Sequence, residues 1–70
     1  MASLKVNGKT IDYGEGKLPA NVAGLLENMN IDKATVVAEI DGKIVERKDF
    51  ETFELKDGQS IELIRFVGGG

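Results

Sequence analysis

The chain contains neither cysteine nor histidine, and their absence removes most side-chain chemistry. There is no thiol nucleophile, no serine–histidine pair and no imidazole general base. Cysteine/histidine zinc sites are excluded by the same count, as is a ferredoxin, whose iron–sulfur cluster needs cysteine ligands. Carboxylates and lysines remain, but seventy residues offer little concave volume to enclose a substrate. A self-contained enzyme is therefore not expected. One reactive group is left at the end of the chain, the terminal carboxylate that follows Gly68-Gly69-Gly70. Glycine has no Cβ, so such a tail has little intrinsic order and can be drawn through a channel too narrow for other residues. A channel of that kind lets a partner present the carboxylate to a reactive centre while water and other proteins' termini stay out. Taken alone, the three glycines fit equally a flexible end without a role or a remnant of recombinant expression.

The segment before the tail, Ile61-Glu62-Leu63-Ile64-Arg65-Phe66-Val67, alternates in a way that decides what it can present. In a strand, Ile61 and Leu63 share one face with Arg65 and Val67, while Glu62, Ile64 and Phe66 share the other. If Ile61 and Leu63 pack beneath a helix, Ile64 and Phe66 emerge on the opposite face. An uncovered apolar patch on a small protein marks a partner surface. The alternative is that these side chains pack against strand neighbours or against the connection around Phe50–Leu55.

The rest of the sequence must build the platform for this strand. Leu4-Lys5-Val6-Asn7 and Thr10-Ile11-Asp12-Tyr13 alternate apolar and polar residues, the pattern of half-buried strands. Asn7-Gly8 between them takes the positive φ angles of a tight hairpin turn. Leu4, Val6, Ile11 and Tyr13 are thereby offered to a core, and Gly14–Lys17 reads as a loop. From Pro19 the period changes: Val22, Leu25, Leu26 and Met29 follow i, i+3, i+4, i+7 and share one face of a helix. Pro19 suits a place at or just before the first turn. Gly24 weakens the helix interior by about 1 kcal/mol relative to alanine, and its missing side chain lets a helix lie close to a sheet. Asn30 can adopt the left-handed conformation that ends a helix.

Val36–Ile40 reads as a strand rich in β-branched residues. Asp41-Gly42 is a second hairpin signal, and Lys43–Glu46 returns as a short strand. Asp49–Phe53 has no clean period and is expected as a helical turn or irregular connection, with Phe50, Phe53 and Leu55 closing one end of the core. Lys56–Gln59 is a turn, and the last strand runs from Ser60 to about Val67. The order β-β-α-β-β-turn-β packs most economically as one helix across one face of a mixed, mainly antiparallel sheet of four to five strands. The first and last strands lie side by side in its middle.

Composition narrows the partners. Nine Lys/Arg stand against twelve Asp/Glu, interspersed, and Arg47-Lys48 is flanked by Glu46 and Asp49. Nucleic-acid binding needs a basic stripe, and none is present. No apolar run approaches the ~20 residues needed to span a bilayer, and Met1 is not followed by a secretory pattern. A soluble cytoplasmic protein is expected. One domain of this length buries only about 60% of its unfolded surface, and without disulfide or metal its stability rests on apolar packing.

With these elements in place, the sequence resembles the ThiS family of thiamin-pathway sulfur carriers. The resemblance covers essentially the whole chain. It rests on the strand order, the Val6-Asn7-Gly8 hairpin, the Glu39-Ile40-Asp41-Gly42-Lys43-Ile44-Val45 hairpin and, most strongly, the ending Arg65-Phe66-Val67-Gly68-Gly69-Gly70. It implies an α+β fold of the β-grasp, ubiquitin-like class over residues 1–67 with a flexible tail over 68–70. It also implies a carrier that is not itself an enzyme and binds no cofactor. A ThiF-type adenylating enzyme would use ATP to activate the Gly70 carboxylate, a sulfur-donor protein would convert it to a thiocarboxylate, and a ThiG-type thiazole synthase would accept the sulfur. Gly70 would carry the adenylate and the sulfur, Gly69 and Gly68 would give reach, and Ile64, Arg65, Phe66 and Val67 would dock on the partners. Carriers for molybdopterin, tRNA thiolation or cysteine synthesis share this chemistry, and a ubiquitin-like modifier would use the same terminus for an isopeptide bond.

Overall fold

The computed structural model describes residues 2–65. Phe66, Val67 and the Gly68–Gly70 tail lie outside the described residues. Six principal elements follow in order: β1 (Ser3–Val6), β2 (Lys9–Asp12), α1 (Val22–Asn28), β3 (Val36–Ile40), β4 (Lys43–Val45) and β5 (Ser60–Arg65). Short 3-10 turns occupy Lys33–Thr35 and Arg47–Asp49.

Both hairpins form as their dipeptides dictate. Asn7 and Gly8 take φ of 50° and 81°, and Asp41 and Gly42 take 49° and 85°; these two-residue turns match the twist of the strands they join. The second turn sets Ile40 opposite Lys43 and Glu39 opposite Ile44. The sheet runs β2-β1-β5-β3-β4. β1 and β5 are parallel and the other pairs antiparallel. This is the expected mixed sheet, with the first and last strands adjacent and β5 at its centre. β5 ends at Arg65 within the described residues, and β4 is one residue shorter than expected, because Glu46 already leads into the 3-10 turn.

The helix spans only seven residues, too few to be stable alone, so it is held by what it packs against. Val22, Leu25 and Leu26 are buried in one cluster with Leu4, Val6, Ala38 and Ile61. Met29, counted with the helix face, is the C-terminal capping residue and only half-buried. Asn30 at φ 61° ends the helix as its residue type allows. The helix begins at Val22, with Pro19 just before the first turn as expected and Asn21 as cap accepting the Gly24 N–H at 2.7 Å. Gly24 does not mark a close approach of helix to sheet. A Cβ there would sit 3.3 Å from Asn21 Oδ1 and 3.9 Å from Pro19 Cβ, so the glycine leaves room for the capping side chain.

The connection after β4 folds back under the helix. Phe50 is fully buried and Leu55 nearly so, while Phe53 is half-buried against the core. Two main-chain bonds tie this segment to the helix entrance: Ala23 N–H to Phe50 C=O at 2.9 Å and Leu55 N–H to Ala20 C=O at 3.0 Å.

The two turn residues also grip β5. Asn7 Oδ1 accepts the Leu63 N–H at 2.7 Å, and Asp41 Oδ1 accepts the Ser60 N–H at 2.9 Å. Asn7→Gly preserves the turn's φ but deletes the first of these acceptors. It should cost about 1 kcal/mol in urea unfolding and accelerate hydrogen exchange at the Leu63 amide more than at Ile61.

Tyr13, after β2, packs half-buried on the core. Its hydroxyl oxygen is buried without a hydrogen-bond partner among the described residues, and this burial pushes the phenol above 10.0. The folded state thus favours the neutral form, a contribution that is complete below pH 10.0 and lost as pH climbs through the raised value. Tyr13→Phe removes an unpaired hydroxyl, so it should leave neutral-pH stability unchanged or slightly higher. It should also flatten the alkaline decline, both read from thermal melts at stepped pH.

Candidate functional site

β5 is the element that carries the chain toward its terminus, and its surroundings are asymmetric. On one side β3 accompanies it throughout, pairing Ile40 with Ile61, Ala38 with Leu63 and Val36 with Arg65. On the other side β1 accompanies it only to the Val6–Ile61 pair. Beyond that point the Asn7 side chain takes the Leu63 N–H and the β1 backbone turns away. The last residues of β5 therefore leave the sheet with a neighbouring strand on one side.

Burial follows the expected alternation. Ile61 is 1% and Leu63 9% exposed beneath the helix, whereas Ile64 is 51% exposed on the open face. Arg65, in register with Val36, is exposed at the strand end. Phe66, Val67, Gly68, Gly69 and Gly70 lie outside the described residues, so of the seven residues singled out from the sequence only Ile64 and Arg65 are placed.

The open face holds more than the sequence reading named. Ile44 is 55% exposed, and register puts it on that face opposite Glu39, which in turn faces Glu62. One step nearer the end of β5, Val37 faces Ile64. Ile44 and Val37 were readable in principle. A two-residue turn at Asp41-Gly42 fixes the β3–β4 register, and the alternation of Val36–Ile40 then sends Val37, Glu39 and Ile44 away from the helix.

Two hollows flank this patch. One, of 380 Å³, is lined by Asn7, Glu39, Glu62, Leu63 and Ile64. The other, of 400 Å³, lies at the end of the β3–β4 hairpin away from its turn, where Val36, Val37, Ile44 and Val45 meet Lys33, Glu46 and Arg47. Neither contains a nucleophile–base pair. Among the described residues no three acidic, histidine or cysteine side chains gather to hold a metal. No helix among them is long and apolar enough to cross a membrane.

Known proteins share this arrangement. A sequence model of the ThiS family matches residues 4–70. The sulfur carrier protein ThiS of Bacillus subtilis (strain 168) is 30% identical over 67 residues, covering 96% of this chain and 98% of that protein. The crystal structure of the thiamine biosynthesis protein ThiS from Geobacter metallireducens superposes with a TM-score of 0.79 at 36% identity, covering 97% of this chain and 99% of that one. A solution structure of a thiamine biosynthesis protein from the same organism gives 0.75 at 36% identity, covering 97% and 87%. A single helix on a five-stranded sheet, with the last strand at its centre, is thus the β-grasp arrangement of these relatives. With the match running from β1 through the terminal glycines, the chain belongs to the ThiS family.

Proposed function

We propose that this chain is a sulfur carrier of thiamin thiazole biosynthesis, acting through the carboxylate of Gly70. The observation that carries the reading is the extent of the family match, which runs to residue 70 and so includes the Gly68-Gly69-Gly70 ending. The chemistry follows from what a carboxylate lacks. Its oxygen is a poor leaving group, so it must be activated before sulfur can replace it. A ThiF-type enzyme would join the Gly70 carboxylate to the α-phosphorus of ATP and release pyrophosphate. A persulfide on a sulfur-donor protein would then attack the carbonyl carbon and expel AMP, leaving an acyl disulfide; a second thiol would attack the donor's sulfur, form a disulfide with it and release the thiocarboxylate, which would supply sulfur to a ThiG-type thiazole synthase. ATP belongs to the activating enzyme, and the carrier itself catalyses no step.

In this reading the folded body serves recognition and the tail serves chemistry. Ile64, exposed on the open face, would dock on the partners together with Phe66 and Val67, Arg65 would pair with an acidic group, and Gly68 and Gly69 would thread the channel to the reactive centre.

Adding one residue after Gly70 should abolish ATP–pyrophosphate exchange by the activating enzyme while leaving the melting temperature unchanged. Continued exchange at the normal rate would refute chemistry at the terminal carboxylate. With the native terminus, enzyme, ATP, a persulfide donor and a thiol reductant, intact-mass spectrometry should show one oxygen replaced by sulfur at Gly70. Gly70 found joined to lysines of other proteins would instead identify a modifier.

A further inference from the structure

Asn7 combines a structural duty with a chemical liability. It is the one asparagine that glycine follows; Asn21, Asn28 and Asn30 precede Val22, Met29 and Ile31. An asparagine side chain loses ammonia when the next backbone nitrogen attacks its Cγ and closes a five-membered succinimide. Glycine hinders that attack least, because it has no Cβ. Asn7 is exposed, and a Cβ on Gly8 would meet nothing within 4 Å, so no neighbour shields the turn. The Leu63 N–H sits 2.7 Å from Asn7 Oδ1, the atom on which negative charge builds as Cγ is attacked, and a donor held there stabilises that charge. The electrophile is thus prepared, and the fold withholds only the nucleophile. With φ of 50° at Asn7 and 81° at Gly8 the turn is type I′. Asn7 is then in the left-handed region, where ψ is about +30 to +60°, and the Gly8 nitrogen points away from Cβ. A flip of the Asn7–Gly8 peptide gives the type II′ turn, in which Asn7 has ψ of about −120°. The Gly8 nitrogen then lies on the Cβ side and faces Cγ. Both turn types close two-residue hairpins, so the flip preserves strand pairing, but II′ favours glycine at its first position. The reactive turn is therefore a minor state.

We propose that Asn7 is a modification site at which the folded chain deamidates, gated by this peptide flip, and that the main product unfastens β5 from the β1 side. The Gly8 nitrogen bonds to Cγ, the Cγ–Nδ2 bond breaks, and the Gly8 amide proton passes through water to the departing ammonia. Water then opens the succinimide. Attack at Cγ gives aspartate, which keeps an oxygen acceptor in place. Asp41 shows that a carboxylate serves there, since from the same position of the second hairpin it holds the Ser60 N–H at 2.9 Å. Attack at the main-chain carbonyl gives isoaspartate, which routes the backbone through Cγ. That lengthens the turn by one atom and withdraws the acceptor from Leu63. Among the described residues this is the last bond to β5 from the β1 side, so an aged chain carries a loosened end of β5. Asp41-Gly42 and Asp57-Gly58 share the spacing, but a carboxylate resists attack at Cγ, so they are far slower sites.

The test is to hold the chain at neutral pH, folded and in concentrated urea, and to follow it by peptide mapping that separates aspartyl from isoaspartyl products. In concentrated urea Asn7 should be converted while Asn21, Asn28 and Asn30 persist. The folded chain should convert Asn7 roughly tenfold more slowly. Its rate should stay flat through sub-denaturing urea, because a peptide flip exposes no new surface. The purified isoaspartyl chain should exchange its Leu63 amide about tenfold faster than the parent, whereas Asn7→Asp, which keeps the acceptor, should stay within about twofold. No product in the folded chain once the unfolded chain is fully converted overturns the proposal. A rate that climbs steadily with urea below the unfolding transition also overturns it, by assigning the gate to opening of the hairpin. So does an isoaspartyl chain whose Leu63 amide remains as protected as the parent's.

Discussion

The parallel pairing of β1 with β5 governs the rest of this small fold. Parallel neighbours cannot be joined by a tight turn, so everything between Val6 and Ile61 must travel from one central strand to the other. The helix, the β3–β4 hairpin and the segment through Phe50 make that journey, and the helix and Phe50 close the core over a single face. The opposite face is left to Val37, Glu39, Ile44, Glu62 and Ile64. One topological requirement thus yields both the core and the exposed surface beside the end of β5.

Local chemistry made much of this legible. Asn7-Gly8 and Asp41-Gly42 have no good alternative to their turns, and the helix face at Val22, Leu25 and Leu26 follows from period alone. What escaped depends on contacts between residues distant in sequence. Asn7 and Asp41 read as turn formers, yet their side chains also hold Leu63 and Ser60, and no local pattern announces a partner so far along the chain. Gly24 was given the wrong reason because its contact is with the capping side chain of Asn21, which residue type alone does not assign as the cap. Ile64 was found by following one strand. Ile44 was missed because its face becomes evident only when two strands are read in register. The terminal glycines lie outside the described residues, and their proposed role rests on residue type, position and the family match.

On the carrier function proposed above, chemistry at the terminus would leave the folded body with no bond to polarise and no proton to shift; it would need only to be recognised and to hold one strand still. Apolar packing without disulfide or metal is enough for that.

The central placement of β5 has a mechanical consequence. A partner that draws the terminus into a narrow channel applies force along the strand axis. That force reaches a strand bonded to β3 along its length and to β1 near its start. Antiparallel ladder bonds lie perpendicular to the strand, so a pull along β5 loads them in shear, many at once, rather than peeling them open one by one. The side chains of Asn7 and Asp41 share this load from the two flanking hairpins. A pull on the end of β5 would therefore be shared among many ladder bonds at once.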